Sequence, residues 1–160
     1  MIHDPNIDRA SLNADQREIL DYWSARCRGD RLPRRKDVDP LDFPHLLPFL
    51  MLVDVLRDPR DFRFRLVGTG FYNFSKAPLT KRLFSEVFKP TDKSVIWRDY
   101  MSVVQTTRPY YGEVPYVGPS SRAKHVYHLL LPLAENGVDV DMILNCAEFQ
   151  LSDGDHQRLL

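Results

Sequence analysis

The sequence predicts an α+β fold with helices gathered on one face of a five-stranded antiparallel sheet. Three observations predict it. In residues 61–67, Phe62, Phe64 and Leu66 alternate with Arg63, Arg65 and Val67, the two-residue period of a half-buried strand. Residues 92–106 instead carry Val95, Ile96, Tyr100, Val103 and Val104 at helical spacing, with Trp97 and Met101 at the edge of the stripe. Near the C-terminal end, Asn136-Gly137 stands between two strand-like stretches as a hairpin signal.

Taken in order, residues 1–11 read as a polar N-terminal arm, 12–151 as a single domain and 152–160 as a short tail. Asn13 can cap a helix with Gln16 completing a capping box. Ile19, Leu20, Trp23 and Cys27 then share one face, and Gly29 stops the helix. Prolines 33, 40, 44 and 48 exclude a long helix or a central strand, leaving a short turn of helix at 43–47 capped by Asp42. Residues 50–56 form a strand that turns through 57–60 into the alternating segment, which we read as the central strand. Gly68-Thr69-Gly70 breaks that strand, and short helical pieces follow over residues 71–88. Thr91 or Asp92 caps the long helix, and Arg108-Pro109 ends it. Strands are expected over 110–117, 124–133 and 138–151.

Composition excludes several functions. With 22 basic and 22 acidic residues the formal net charge is +0, unlike a general nucleic-acid binder. Arg31, Arg34, Arg35 and Lys36 are flanked by Asp30, Asp37 and Asp39, so they read as a solvated loop. No apolar run reaches the ~20 residues of a membrane span, and the N-terminus is no signal peptide. Cys27 and Cys146 form neither a disulfide framework nor a Cys-x-x-Cys site. The expectation is a cytoplasmic protein with reduced thiols.

Tyr22-Trp23, the segments at 32–40 and 46–55, Phe62 to Thr69 and the run at 129–133 together resemble a bacterial family of short, stand-alone PAS-like proteins. The resemblance covers about residues 15–150. It implies a PAS-like five-stranded antiparallel sheet with helices on one face and an N-terminal amphipathic helix. It also implies a sensory or protein-interaction module rather than an enzyme, and by itself no cofactor. At 79–82, where the family leads one to expect a polar-Thr-Gly-Arg turn, Lys81 replaces the glycine.

Flavin and haem are both disfavoured. Asn145-Cys146 resembles the motif of flavin-binding light sensors, but it lies in a terminal strand, where Cys146 reads as a small core residue. Residues 92–106 hold no histidine for haem. His125 and His128 point to opposite strand faces and cannot share a metal; His128 reads as partly buried and hydrogen-bonded. Asp139 and Asp141 read as solvated turn residues, and no catalytic constellation or phosphate loop emerges.

Aromatic residues are the remaining signal. Tyr72, Phe74, Trp97, Tyr100 and Tyr127, with His128, are the ligand-pocket candidates, and a filled core is the alternative. Ile19, Leu20 and Trp23 are the interface candidates, for a homodimer built on the N-terminal helix and the outer sheet face. Three functions follow: a sensory module binding a small-molecule effector or a signalling protein partner, a constitutive adaptor with a sealed core, or a small α+β enzyme. A cavity with convergent polar groups marks the first, a filled core the second, and a cleft histidine paired with a carboxylate the third.

Overall fold

A computed structural model describes residues 7–88, 90–116, 118–120, 122–151 and 156–157. Residues 1–6 of the arm expected at 1–11 and most of the tail therefore lie outside the described residues, as do the side chains of Thr91 and Asp92. The elements are α1 (Ala14–Arg26), β1 (Leu50–Arg57), β2 (Arg60–Val67), α2 (Tyr72–Ser75), α3 (Phe84–Val87), α4 (Pro90–Thr106), β3 (Tyr110–Pro115), β4 (Ala123–Leu133), β5 (Met142–Leu151) and the two-residue β6 (His156–Gln157). The sheet is antiparallel in the order β2-β1-β5-β4-β3, with β6 added to β5, so the expected α+β fold is the observed one.

The N-terminal helix forms as its sequence requires. Asn13 Oδ1 accepts the Gln16 N–H at 2.7 Å and Gln16 Oε1 accepts the Asn13 N–H at 3.1 Å, a complete capping box. Gln16 does more than cap. It is fully buried, and its Nε2 donates to the carbonyls of Tyr127 (3.1 Å) and Cys146 (3.2 Å). Its side-chain amide thus ties α1 to β4 and β5.

Five expectations are corrected. The strand at 60–67 is not central but an edge, because β1 pairs with both β2 and β5. Its alternation also breaks: a bulge opposite Leu52/Val53 places Arg65 out of register, and Leu66 turns outward to 48% exposure. Asp42 does not cap; Asp39 caps a 3₁₀ turn at Pro40–Asp42, and Pro44–Phe49 forms a second. The long helix begins at Pro90, so Thr91 and Asp92 fall in its first turn. The last strand starts at Met142 rather than Val138, because Asn136 Oδ1 accepts the Val138 and Asp139 N–H groups and closes a wider loop.

The outer sheet face is covered by the chain itself. Ile19 and Trp23 are 0% exposed and Leu20 is 8%, and Trp23 Nε1 donates to Pro132 O at 2.8 Å. One helix does not suffice to cover that face. The proline-rich segment after α1 adds Leu32, Val38, Phe43 and Leu46, all buried in the same core. The three residues expected at a dimer interface are thus buried in the chain's own core. Among the described residues no helix is long and apolar enough to cross a membrane. Cys27 and Cys146 are both free.

Candidate functional site

The inner sheet face and the helical segments wall a partly open cavity of about 310 Å³. Its wall is largely aromatic. Phe64 of β2, Phe74 of α2, Phe84 of α3 and Phe149 of β5 line it. Phe74 stacks on Phe149 with ring centres 3.9 Å apart, and Phe84 meets the edge of Tyr100 at 5.0 Å. The Tyr116 hydroxyl donates to the Phe74 carbonyl and accepts the Ser120 N–H, fastening the loop after β3 over α2.

Two polar bridges join α4 to the sheet at the cavity wall. Asp99 and His128 are 1% and 3% exposed, with Asp99 Oδ2 3.0 Å from His128 Nε2. Burial pushes the Asp99 carboxyl up. The hydrogen bond and charge of His128, the Tyr110 hydroxyl and Arg98 together outweigh burial, and its pKa lies below the ordinary carboxylate value. In the second bridge Asn145 Nδ2 donates to the Tyr100 hydroxyl at 2.9 Å. Burial raises the Tyr100 phenol well above its ordinary value, so it is neutral at pH 7. Asn145 Oδ1 is buried and has no hydrogen-bond partner among the described residues. A buried acceptor left open costs about 1–3 kcal/mol, which marks it as a position held for something other than stability.

The loop in which Lys81 stands for glycine keeps a glycine-like backbone. Lys81 sits at φ +73°, donates its N–H to Phe64 O at 2.6 Å, and is followed by Arg82, whose carbonyl accepts the Phe64 N–H at 3.0 Å. The loop is therefore zipped to the edge of β2, and Arg82, exposed, reaches the cavity wall.

Of the pocket candidates, Phe74, Tyr100 and His128 line the cavity. Tyr72 is 58% exposed on the outside of its short helix. Trp97 packs edge-on against Phe62 at 4.9 Å. Tyr127, neighbouring His128 on the strand, lies on the opposite sheet face, where its hydroxyl donates to Gln150 at 3.4 Å. His125 also falls opposite His128, with Nδ1 2.7 Å from Glu113. Cys146 lies on the far face too, beside Asn145, and burial raises its thiol pKa. Among the described residues no group of three or more His, Cys, Asp or Glu side chains could hold a metal ion.

Asn145 and Asp99 are the residues that sequence reasoning missed as site residues. Asn145 interrupts the apolar inner face of β5, and a polar residue between Ile143 and Ala147 was the available signal. Asp99 had no such signal, since an aspartate beside Arg98 on a helix reads as solvated.

A family model described as a PAS domain matches residues 12–147. No curated protein sequence matches the chain. The matched region runs from the capping residues of α1 into β5 and takes in both cavity bridges, and on this evidence the chain belongs to the PAS domain family, whose members are in general sensory and signalling modules.

Proposed function

We propose that this PAS domain is a sensory module that takes a small effector in the cavity between its helices and its sheet. The observation that carries the reading is the about 310 Å³ aromatic cavity with the open, buried Asn145 acceptor in its wall. A constitutive adaptor with a sealed core has no need of either. A cavity at the small end of the ligand-pocket range of about 300–1,000 Å³ suits one or two fused rings rather than a flavin or a haem.

The route out of the cavity runs through the sheet. His128 and Asn145 face the cavity, and the carbonyls of their neighbours Tyr127 and Cys146 are held from the far side by Gln16. A ligand that favours one spacing of β4 and β5 thereby acts on α1, and through it on a signalling protein partner. The shift is limited to the difference in affinity for the two states.

The His128–Asp99 pair is the feature expected of a small enzyme, and it gives that reading its one support. The nearby nucleophile type is Cys146, and it lies across the sheet; Ser75, on the cavity wall, donates its hydroxyl to Ala77 O at 2.8 Å. The pair instead bridges α4 to β4.

Native mass spectrometry of freshly purified protein tests the sensory reading. The expected result is a bound small molecule, or a site that takes one up from an extract with a rise in melting temperature, and no visible absorption band. A single apo mass unchanged by any extract fraction, or a co-purifying flavin or haem band, overturns it.

A further inference from the structure

We propose that the cavity ligand is a neutral, fused-ring aromatic molecule carrying one hydrogen-bond donor, an N–H or O–H, which is received by Asn145. This inference rests on the ligand-binding reading above and specifies its chemistry. An apolar cavity of about 150 Å³ takes a benzene ring. At about 310 Å³ this one has room for two fused rings, and its walls of Phe64, Phe74, Phe84 and Phe149 offer faces and edges to stack on. Asn145 is 6% exposed, and with Nδ2 occupied by Tyr100 it leaves Oδ1 as an open acceptor. His128 lines the same cavity, with its Nε2 3.0 Å from Asp99 Oδ2.

Charge excludes the ionic alternatives from the interior. The groups buried there are an ionised Asp99 with its histidine partner, the neutral Tyr100 and the Asn145 amide. Their sum is zero or negative, so a buried anion gains no partner. Arg82 is the cation on the described wall, and it is exposed. A ligand cation would have to reach Asp99 past His128, which already occupies Oδ2. A neutral ligand is what remains, and the open Oδ1 of Asn145 is the acceptor that a donor on it would meet.

Three probes of nearly equal shape test this: indole, 1-methylindole and indole-3-carboxylate, titrated into the full chain by calorimetry and by shifts of backbone amide resonances. Indole is expected to bind, and 1-methylindole, with its donor blocked, to bind about 3- to 10-fold more weakly, the worth of one neutral hydrogen bond. The carboxylate is expected to bind more weakly than either. In Asn145→Leu the advantage of indole over 1-methylindole should vanish while 1-methylindole still binds. Should that variant fail to fold because Tyr100 has lost its partner, Tyr100→Phe/Asn145→Leu removes both polar groups together and carries the same expectation. Equal binding of indole and 1-methylindole, an indole advantage that survives the leucine, or tighter binding of the carboxylate each overturns the donor-to-Asn145 assignment while leaving the cavity a ligand site. Binding of none of the three also overturns it, and the native mass spectrum then decides separately whether the cavity takes any ligand.

Discussion

Lys81 and Asp99 each hold a conformation or a charge that the surrounding fold imposes. A lysine at φ +73° is in the left-handed region, which costs a non-glycine residue about 1 kcal/mol or more. Its N–H to Phe64 O bond holds it there. Lys81→Gly is therefore expected to raise stability by about 0.5–1 kcal/mol, the strain relieved less the added freedom of the unfolded chain; a lower denaturation midpoint in the glycine variant would contradict the strain. Together with Asp37, whose carboxylate is held low by hydrogen bonds with Arg34, Asp99 shapes the acid limb. Its folded pKa is depressed, so its contribution is fully present above the unfolded value of about 3.9 and is lost as pH falls through the folded one. Melting temperature should thus fall as the pH is taken down through the carboxylate range. Asp99→Asn should destabilise the protein at pH 7 by about 1–3 kcal/mol and flatten that acid slope. A variant whose pH profile parallels the parent would show that Asp99 is not the group responsible.

At the scale of the element, α1 owes its position to two kinds of side chain on one stripe. Ile19, Leu20 and Trp23 bury apolar surface, and Gln16 supplies every polar group of its amide to a partner: the Asn13 N–H and the carbonyls of Tyr127 and Cys146. Such a fully satisfied buried amide fixes rotation as well as depth. Trp23→Ala should cost about 3–5 kcal/mol, the range for emptying a packed aromatic site, and should also orphan the Pro132 carbonyl. Leu20→Asp and Trp23→Asp discriminate between a face buried in its own chain and one buried in a partner. The expected outcome is loss of the native circular dichroism and thermal transition. Folded monomers recovered by light scattering after either substitution would instead place that face at an interface between chains.

For the whole molecule the decisive contact is between the proline-rich segment and the glycine corner that ends β2. A Cβ on Gly68 would stand 2.3 Å from the Leu47 carbonyl oxygen and 2.4 Å from that of Pro48. Both are backbone atoms, so relief means moving the whole 3₁₀ segment at Pro44–Phe49 that shields the outer face. The Gly68 N–H meanwhile donates to Leu50 O at 2.8 Å, at the start of β1. Gly68→Ala is expected to cost more than about 3 kcal/mol, beyond the ordinary range for an exposed loop. A chemical denaturation curve within about 1 kcal/mol of the parent would mean the segment gives way freely. The sheet is in this sense two-sided: sealed outside by α1 and residues 32–49, and hollow inside around the cavity.

The local elements were legible in the sequence because they rest on local rules. Asn13 and Gln16 write a capping box within four residues, the 3.6-residue stripe of α4 and the hairpin at 57–60 need only neighbours, and together they fix the α+β order. What was not legible depends on residues far apart. The bulge that turns Leu66 outward is set by pairing with β1, and the edge position of β2 by β5 arriving some 80 residues later to take β1's other side. Phe74, Tyr100 and His128 could be picked as pocket residues from their chemistry. Tyr72, Trp97 and Tyr127 have the same chemistry and fall outside the cavity, because one step along a strand or a third of a helical turn changes the face. The sequence by itself determined the order and type of the elements, since those follow from periods and caps. Only the tertiary structure decided that Asp99 meets His128, that Asn145 is left with an open acceptor, and that the apolar outer face is closed by its own chain. Each of these is a balance of burial against a partner, and the partner lies 29, 45 or more than a hundred residues away.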